Sequence, residues 1–74
     1  MMDKKKAVLA IIAEVLNISD ESITEDSRAE DFVEWDSLAQ VMIIGALDEK
    51  LGINISLEEA MEIESVKQIL ALCE

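Results

Sequence analysis

No histidine and no tyrosine occur in these 74 residues. That removes the commonest general base and the commonest transition-metal ligand. Catalysis by this chain alone, and a metal site of its own, are therefore not expected. Proline is absent, glycine occurs twice, and the aromatics are one tryptophan and one phenylalanine. A chain rich in Ala, Leu, Ile and Glu, with few β-formers beyond Ile and Val, suits helices packed through local contacts. The single cysteine, Cys73, excludes an intrachain disulfide and fits a reducing compartment, taken as the cytoplasm. Nothing basic lies beside Cys73 in sequence to activate it, so a buried helix position is expected. Apolar runs fall short of the roughly 18 residues that a membrane span needs. Lys4–Lys6 followed by Ala7 to Ala13 imitates a secretory signal. Glu14 interrupts that run and no small-residue cleavage site follows, so it reads as a helix and no targeting is indicated.

Cations are scarce. Six basic residues face 17 acidic ones, a net charge of −11. Such a chain repels nucleic acid and anionic membranes and attracts basic protein surfaces. The imbalance is local: residues 17–36 hold Asp20, Glu21, Glu25, Asp26, Glu30, Asp31, Glu34 and Asp36 against Arg28, net −7. Residues 1–16 are net +1, from Lys4, Lys5 and Lys6 against Asp3 and Glu14.

The length allows one small domain, 1–74, with a marginal core, since a domain of roughly 60 residues buries only about 60% of its unfolded surface. The expected fold is all-α: three longer helices and one short one, with a long loop between the first and second. Asp3 caps a first helix running to about Leu16, where Val8, Ile11, Ile12 and Val15 form one stripe at i, i+3, i+4, i+7, widened by Leu9 and Leu16. Its first-turn lysines oppose the helix dipole. Asn17 or Ser19 stops it. Residues 17–36 form a long connection that Ile18, Ile23, Phe32 and Val33 can pin to the core. They do not make a calcium loop, because the sixth residue from Asp20 is Glu25, not Gly.

A second helix runs from about Ser37 to Leu51, and Gly52 ends it. On a helical wheel Gln40, Ile43, Ile44, Leu47 and Leu51 share the core face. Leu38, Val41, Met42 and Gly45 share the opposite face, joined a turn later by Asp48 and Glu49. That second apolar side is either covered by the loop or open to a partner. Ile53 to Leu57 alternate like a strand but have no second strand to pair with, so an extended connection burying Ile53 and Ile55 is expected. Ser56 and Glu59 have capping-box spacing and open a short helix over Glu58–Ile63. Ser65 and Gln68 repeat the signature before a last helix with Val66, Ile69, Leu70 and Cys73 buried.

At the start of the second helix the residues allow two arrangements. Ser37 and Gln40 have the S-x-x-Q spacing of a capping box, which would occupy the hydroxyl. Asp36 is an equally good N-cap. If Asp36 caps, Ser37 is the first helical residue with a free hydroxyl. A phosphate ester there would meet the positive end of the helix dipole and its unpaired N–H groups.

Asp36-Ser37-Leu38 after a long acidic loop, followed by Leu47-Asp48-Glu49-Lys50-Leu51-Gly52-Ile53-Asn54-Ile55, resembles the acyl carrier protein family. The resemblance spans Ile11-Ile12 to Ile69. It implies a 4′-phosphopantetheine arm on Ser37, joined by a phosphodiester, whose terminal thiol holds acyl groups as thioesters for fatty acid, polyketide or related biosynthesis. It also implies that Asp36 helps a phosphopantetheinyl transferase bind, near its metal ion. Leu38, Val41, Met42 and Gly45 would form the apolar part of a docking face for enzymes with basic patches, and Asp48 and Glu49 its acidic part. The core-facing residues would line an acyl cleft. The chain departs from the fatty-acid-synthesis pattern at Ala39 and Met42, where acids are usual. Trp35 resembles specialised stand-alone carriers, and Phe32 or Trp35 replaces an aromatic usual at Ala29. For Trp35 itself, core packing or a lid on the loop stands against partner contact. Other readings are an aminoacyl or peptidyl carrier, a cofactor-free acidic adaptor for a basic partner, and a small enzyme with Cys73 as nucleophile. A monomer is expected.

Overall fold

The computed structural model describes residues 3–73, so the ends of the expected 1–74 domain lie outside the described residues. Among the described residues there are four α-helices: α1 (Lys4–Leu16), α2 (Ser37–Leu51), α3 (Leu57–Glu62) and α4 (Val66–Leu72). Among the described residues there is no strand, only an isolated bridge between Arg28 and Ser65.

The Asp3 carboxylate caps α1, accepting from the Lys5 N–H at 3.0 Å. Asn17 stops the helix in the left-handed region, φ 58°, where asparagine is tolerated. Ser19 caps the next turn instead, a single 3-10 turn at Asp20–Ser22. The expected stripe is buried at Val8, Ile11, Ile12 and Leu16, together with Ala13, while Leu9 and Val15 are partly buried. The first-turn lysines are offset by other segments. Lys5 Nζ lies 2.6 Å from Glu25 of the long connection, and Lys4 Nζ donates to the Cys73 carbonyl at 2.9 Å.

The connection is ordered by turns that the hydrophobic pattern does not show. Besides Asp20–Ser22 it contains a 3-10 turn at Ala29–Asp31. Two backbone bonds, Ala29 N–H to Glu64 O and Val66 N–H to Ser27 O, tie it to the α3–α4 link. Ile23 is buried, and Ile18 and Phe32 pack partly against the core, as expected. Val33 does not: it is 96% exposed. Phe32 has extended backbone, so its neighbour's side chain points the opposite way. Phe32 takes the inward position, Val33 the outward one, and Trp35 fills the core next.

Gly52, at φ 67°, ends α2 and donates to the Leu47 and Asp48 carbonyls. The buried line of α2 is Ala39, Ile43 and Leu47. Gln40, Ile44 and Leu51, expected on the core face, are only partly buried beside it, so the inward face is turned toward Ala39. Ile55 is buried and Ile53 partly buried in an extended linker. The Ser56–Glu59 capping box forms in both directions, at 3.1 and 3.2 Å. It fixes Leu57 as the first residue of α3, one position before the expected Glu58, and Ile63 is already extended. Ser65 caps α4, where Val66, Ile69 and Cys73 are buried and Leu70 is partly buried. The six largest fully buried side chains come in pairs from three helices: Val8 and Ile12, Ile43 and Leu47, Val66 and Ile69. The short α3 adds Ala60 and presents its other side chains to solvent.

Candidate functional site

The site starts with a competition between two caps. Asp36 wins it: its Oδ1 accepts from the Ala39 N–H at 2.9 Å, and its backbone is extended as an N-cap requires. Ser37 is therefore the first residue of α2. It is exposed, and its Oγ has no hydrogen-bond partner among the described residues. The Ser37–Gln40 capping box does not form. Counted from Asp36, Gln40 is the fourth helical residue, past the box position.

Gln40 is used elsewhere. Its Oε1 accepts from the Trp35 indole at 2.7 Å, and its Nε2 donates to the Ala60 carbonyl at 2.7 Å. Residues just before an N-cap and four after it often meet in a hydrophobic staple. Here Trp35 and Gln40 make that contact with a hydrogen bond. Trp35 is buried, which fits core packing rather than partner contact. The relay joins the loop, α2 and α3.

Beside Ser37 an open cleft of about 490 Å³ runs between α2 and α3. Trp35, Gln40, Val41, Leu57, Met61 and Ile63 are among its lining residues. Of the residues expected on the core face, only Gln40 reaches it. Ile43 and Leu47 are fully buried, and neither Ile44 nor Leu51 contributes to the lining. The open cleft is thus built from the α2–α3 side and not from the core stripe that was expected to line one. Ala29 is partly buried in the same lining as Trp35.

The second apolar side of α2 is open. Leu38, Val41 and Met42 are exposed, and α3 extends the patch through Leu57 and Met61. Neither α3 residue was expected on this face: Leu57 was read as the end of an alternating linker, and only the observed helix start puts it at i, i+4 spacing with Met61. Gly45 is exposed, and a Cβ built on it would meet nothing within 4 Å. Asp48 and Glu49 are exposed beyond it. Ala39 is buried, so an acid usual at that position would not lie on this face; the apolar departure concerns Met42 alone.

Charge follows the same division. Lys5, Arg28, Lys50 and Lys67 pair with Glu25, Glu30, Glu14 and Asp26. No lysine or arginine occurs in 29–49 or 51–66, so α3 and most of α2 carry acids only. No cluster of three potential metal ligands occurs among the described residues. Cys73 is buried, and burial pushes its thiol up from the ordinary range, which disfavours the nucleophilic thiolate.

A helical bundle that leaves a serine hydroxyl unpaired at a helix start, beside an open apolar cleft, has the build of a carrier domain. The family described as "Phosphopantetheine attachment site" matches residues 6–73. The chain is 36% identical over 73 residues to an acyl carrier protein of Helicobacter hepaticus, covering 99% of this chain and 96% of that protein. It is 33% identical over 63 residues to an acyl carrier protein of Thermosynechococcus vestitus, covering 85% of this chain and 78% of that protein. The chain belongs to the acyl carrier protein family. It is a carrier and not an enzyme, and it bears 4′-phosphopantetheine covalently. A phosphopantetheinyl transferase and biosynthetic enzymes are its classes of partner. Neither the cofactor-free adaptor, nor the aminoacyl or peptidyl carrier, nor the Cys73 enzyme is favoured.

Proposed function

We propose that Ser37 is the attachment residue and that the α2–α3 face is where partner enzymes dock. The carrying observation is the cap. Because Asp36 satisfies the Ala39 N–H, the Ser37 hydroxyl is free and exposed. A phosphodiester on it lies at the positive end of a 15-residue helix. The arm supplies a terminal thiol that holds acyl groups as thioesters. The chain's own residues do the rest: Asp36 orders the first turn, and its second carboxylate oxygen is free to approach a transferase's metal ion. Leu38, Val41, Met42 and Gly45 form an apolar strip, lengthened by Leu57 and Met61. Asp48 and Glu49 place negative charge at its far end and attract basic partner patches. We read 1–74 as one carrier domain, monomeric, working in the cytoplasm in fatty acid, polyketide or related biosynthesis. Among the described residues no helix is long and apolar enough to cross a membrane.

Intact mass after incubation with coenzyme A, Mg²⁺ and a broad-specificity phosphopantetheinyl transferase tests the assignment. One phosphopantetheine is expected on the wild type and none on Ser37→Ala. An equal gain in both would sink it.

A further inference from the structure

The cleft beside Ser37 lies between α2 and α3, and the Gln40 side chain spans it. Gln40 lies one turn from Ser37 and lines the cleft. Its amide bonds bind two other segments to α2: the loop through the Trp35 indole, and α3 through the Ala60 carbonyl, each at 2.7 Å. The orientation is fixed by chemistry, since the indole N–H can only donate and the carbonyl can only accept. Trp35, Ala39, Ala60 and Ile63, around this side chain, are all buried. On the outer side, Val41, Leu57 and Met61 are exposed.

An acyl group reaching back from Ser37 therefore meets apolar side chains at the cleft mouth and two satisfied hydrogen bonds at its floor. To go deeper it must part both bonds. That strands an indole N–H, an amide and a carbonyl in apolar surroundings, where unpaired polar groups are costly. A short or polar acyl group can lie at the mouth without disturbing them. We propose that Gln40 is a specificity-determining residue: through Trp35 and Ala60 it closes the α2–α3 entrance to the core. The protein then carries short or polar acyl groups in the cleft in preference to long aliphatic chains inside the bundle. This rests on Ser37 bearing the arm.

The test loads the apo-protein from acetyl-, 3-hydroxybutyryl-, octanoyl- and lauroyl-coenzyme A with a broad-specificity phosphopantetheinyl transferase. Intact mass reports loading, so a missing mass gain strikes the Ser37 assignment and leaves Gln40 out of it. On the loaded forms two quantities are read: the rate of thioester cleavage by hydroxylamine, and the emission of the single tryptophan. In the wild type all four thioesters are cleaved at one rate and the emission does not move with chain length. In Gln40→Leu, octanoyl and lauroyl thioesters are cleaved about tenfold more slowly than acetyl, because burial of the chain no longer breaks two hydrogen bonds. Gln40→Glu keeps the acceptor for the indole and loses the donor to Ala60, and it protects the long chains to a smaller degree. Chain-length protection in the wild type, with a shifted tryptophan emission, overturns the proposal even if neither variant folds. Flat rates in both folded variants overturn it as well.

Discussion

Asp36 has two separable duties, and the choice of substitution separates them. Asparagine caps as well as aspartate but carries no charge. Asp36→Asn should keep the melting temperature and slow phosphopantetheine loading. Asp36→Ala should do both, slowing loading and costing about 1 kcal/mol of stability, measured by urea unfolding. If Asp36→Asn loads at the wild-type rate, the carboxylate acts only as a cap. Cys73 gives a pH prediction. Burial raises its folded pKa above the unfolded value, so its contribution is full below the unfolded pKa and is lost as pH rises through the folded one. Stability should therefore decline above about pH 9, and Cys73→Ala should remove part of that decline though it lowers stability at neutral pH. The residue-level choice between Asp36 and Ser37 was not legible in the sequence, because both are good caps. What fixes it is Gln40, drawn away by Trp35 and by Ala60 twenty positions along the chain. A tertiary contact of that kind leaves no mark on the local pattern.

The glycines of α2 predict opposite responses from one element. Gly45 sits in an exposed helix interior with open space around its Cβ position. Gly45→Ala should stabilise the protein by about 0.5–1 kcal/mol. A domain this size would then melt about 2–8 °C higher by calorimetry. Gly52, at φ 67°, ends the helix in the left-handed region, and Gly52→Ala should cost about 1 kcal/mol. A stabilising helix interior left as glycine, on an open face, fits a place where a partner's surface comes close. Helix ends were legible wherever a cap has a chemical signature: Asp3, Gly52, the Ser56 box and the Ser65 cap, although the expected Ser65–Gln68 box does not close, because Gln68 Oε1 accepts from the Glu64 N–H instead. The long connection was less so. Its two 3-10 turns are held by backbone bonds, and the outward position of Val33 follows from the extended backbone at Phe32 and not from its hydrophobicity. The apolar strip on α2 was readable from the wheel. Its continuation on α3 was not, because six residues are too few to show a period.

At the scale of the whole molecule, salt should act with opposite signs on folding and on docking. The folded chain holds a net charge of −11. The four ion pairs among the described residues join exposed side chains, where water and salt leave such pairs little net worth. Screening those pairs costs little, whereas screening the repulsion among the unpaired acids relieves the compact state. Moving from about 0.01 M to about 0.15 M salt shortens the screening length from about 30 to about 8 Å, so the melting temperature should rise. Encounter with a basic enzyme loses steering over the same range, and the loading rate should fall several-fold. Reversing Asp48 and Glu49 to lysine separates the two effects. It adds cations to a stretch that has none between 29 and 49, and it removes part of the self-repulsion. Helix content by circular dichroism should hold. Loading at low salt should slow about tenfold, and its salt dependence should flatten. Loading that is unchanged by the reversal and insensitive to salt would place the docking face elsewhere. Glu58 and Glu62 on α3, exposed beside the same cleft, would then be the acids to reverse next.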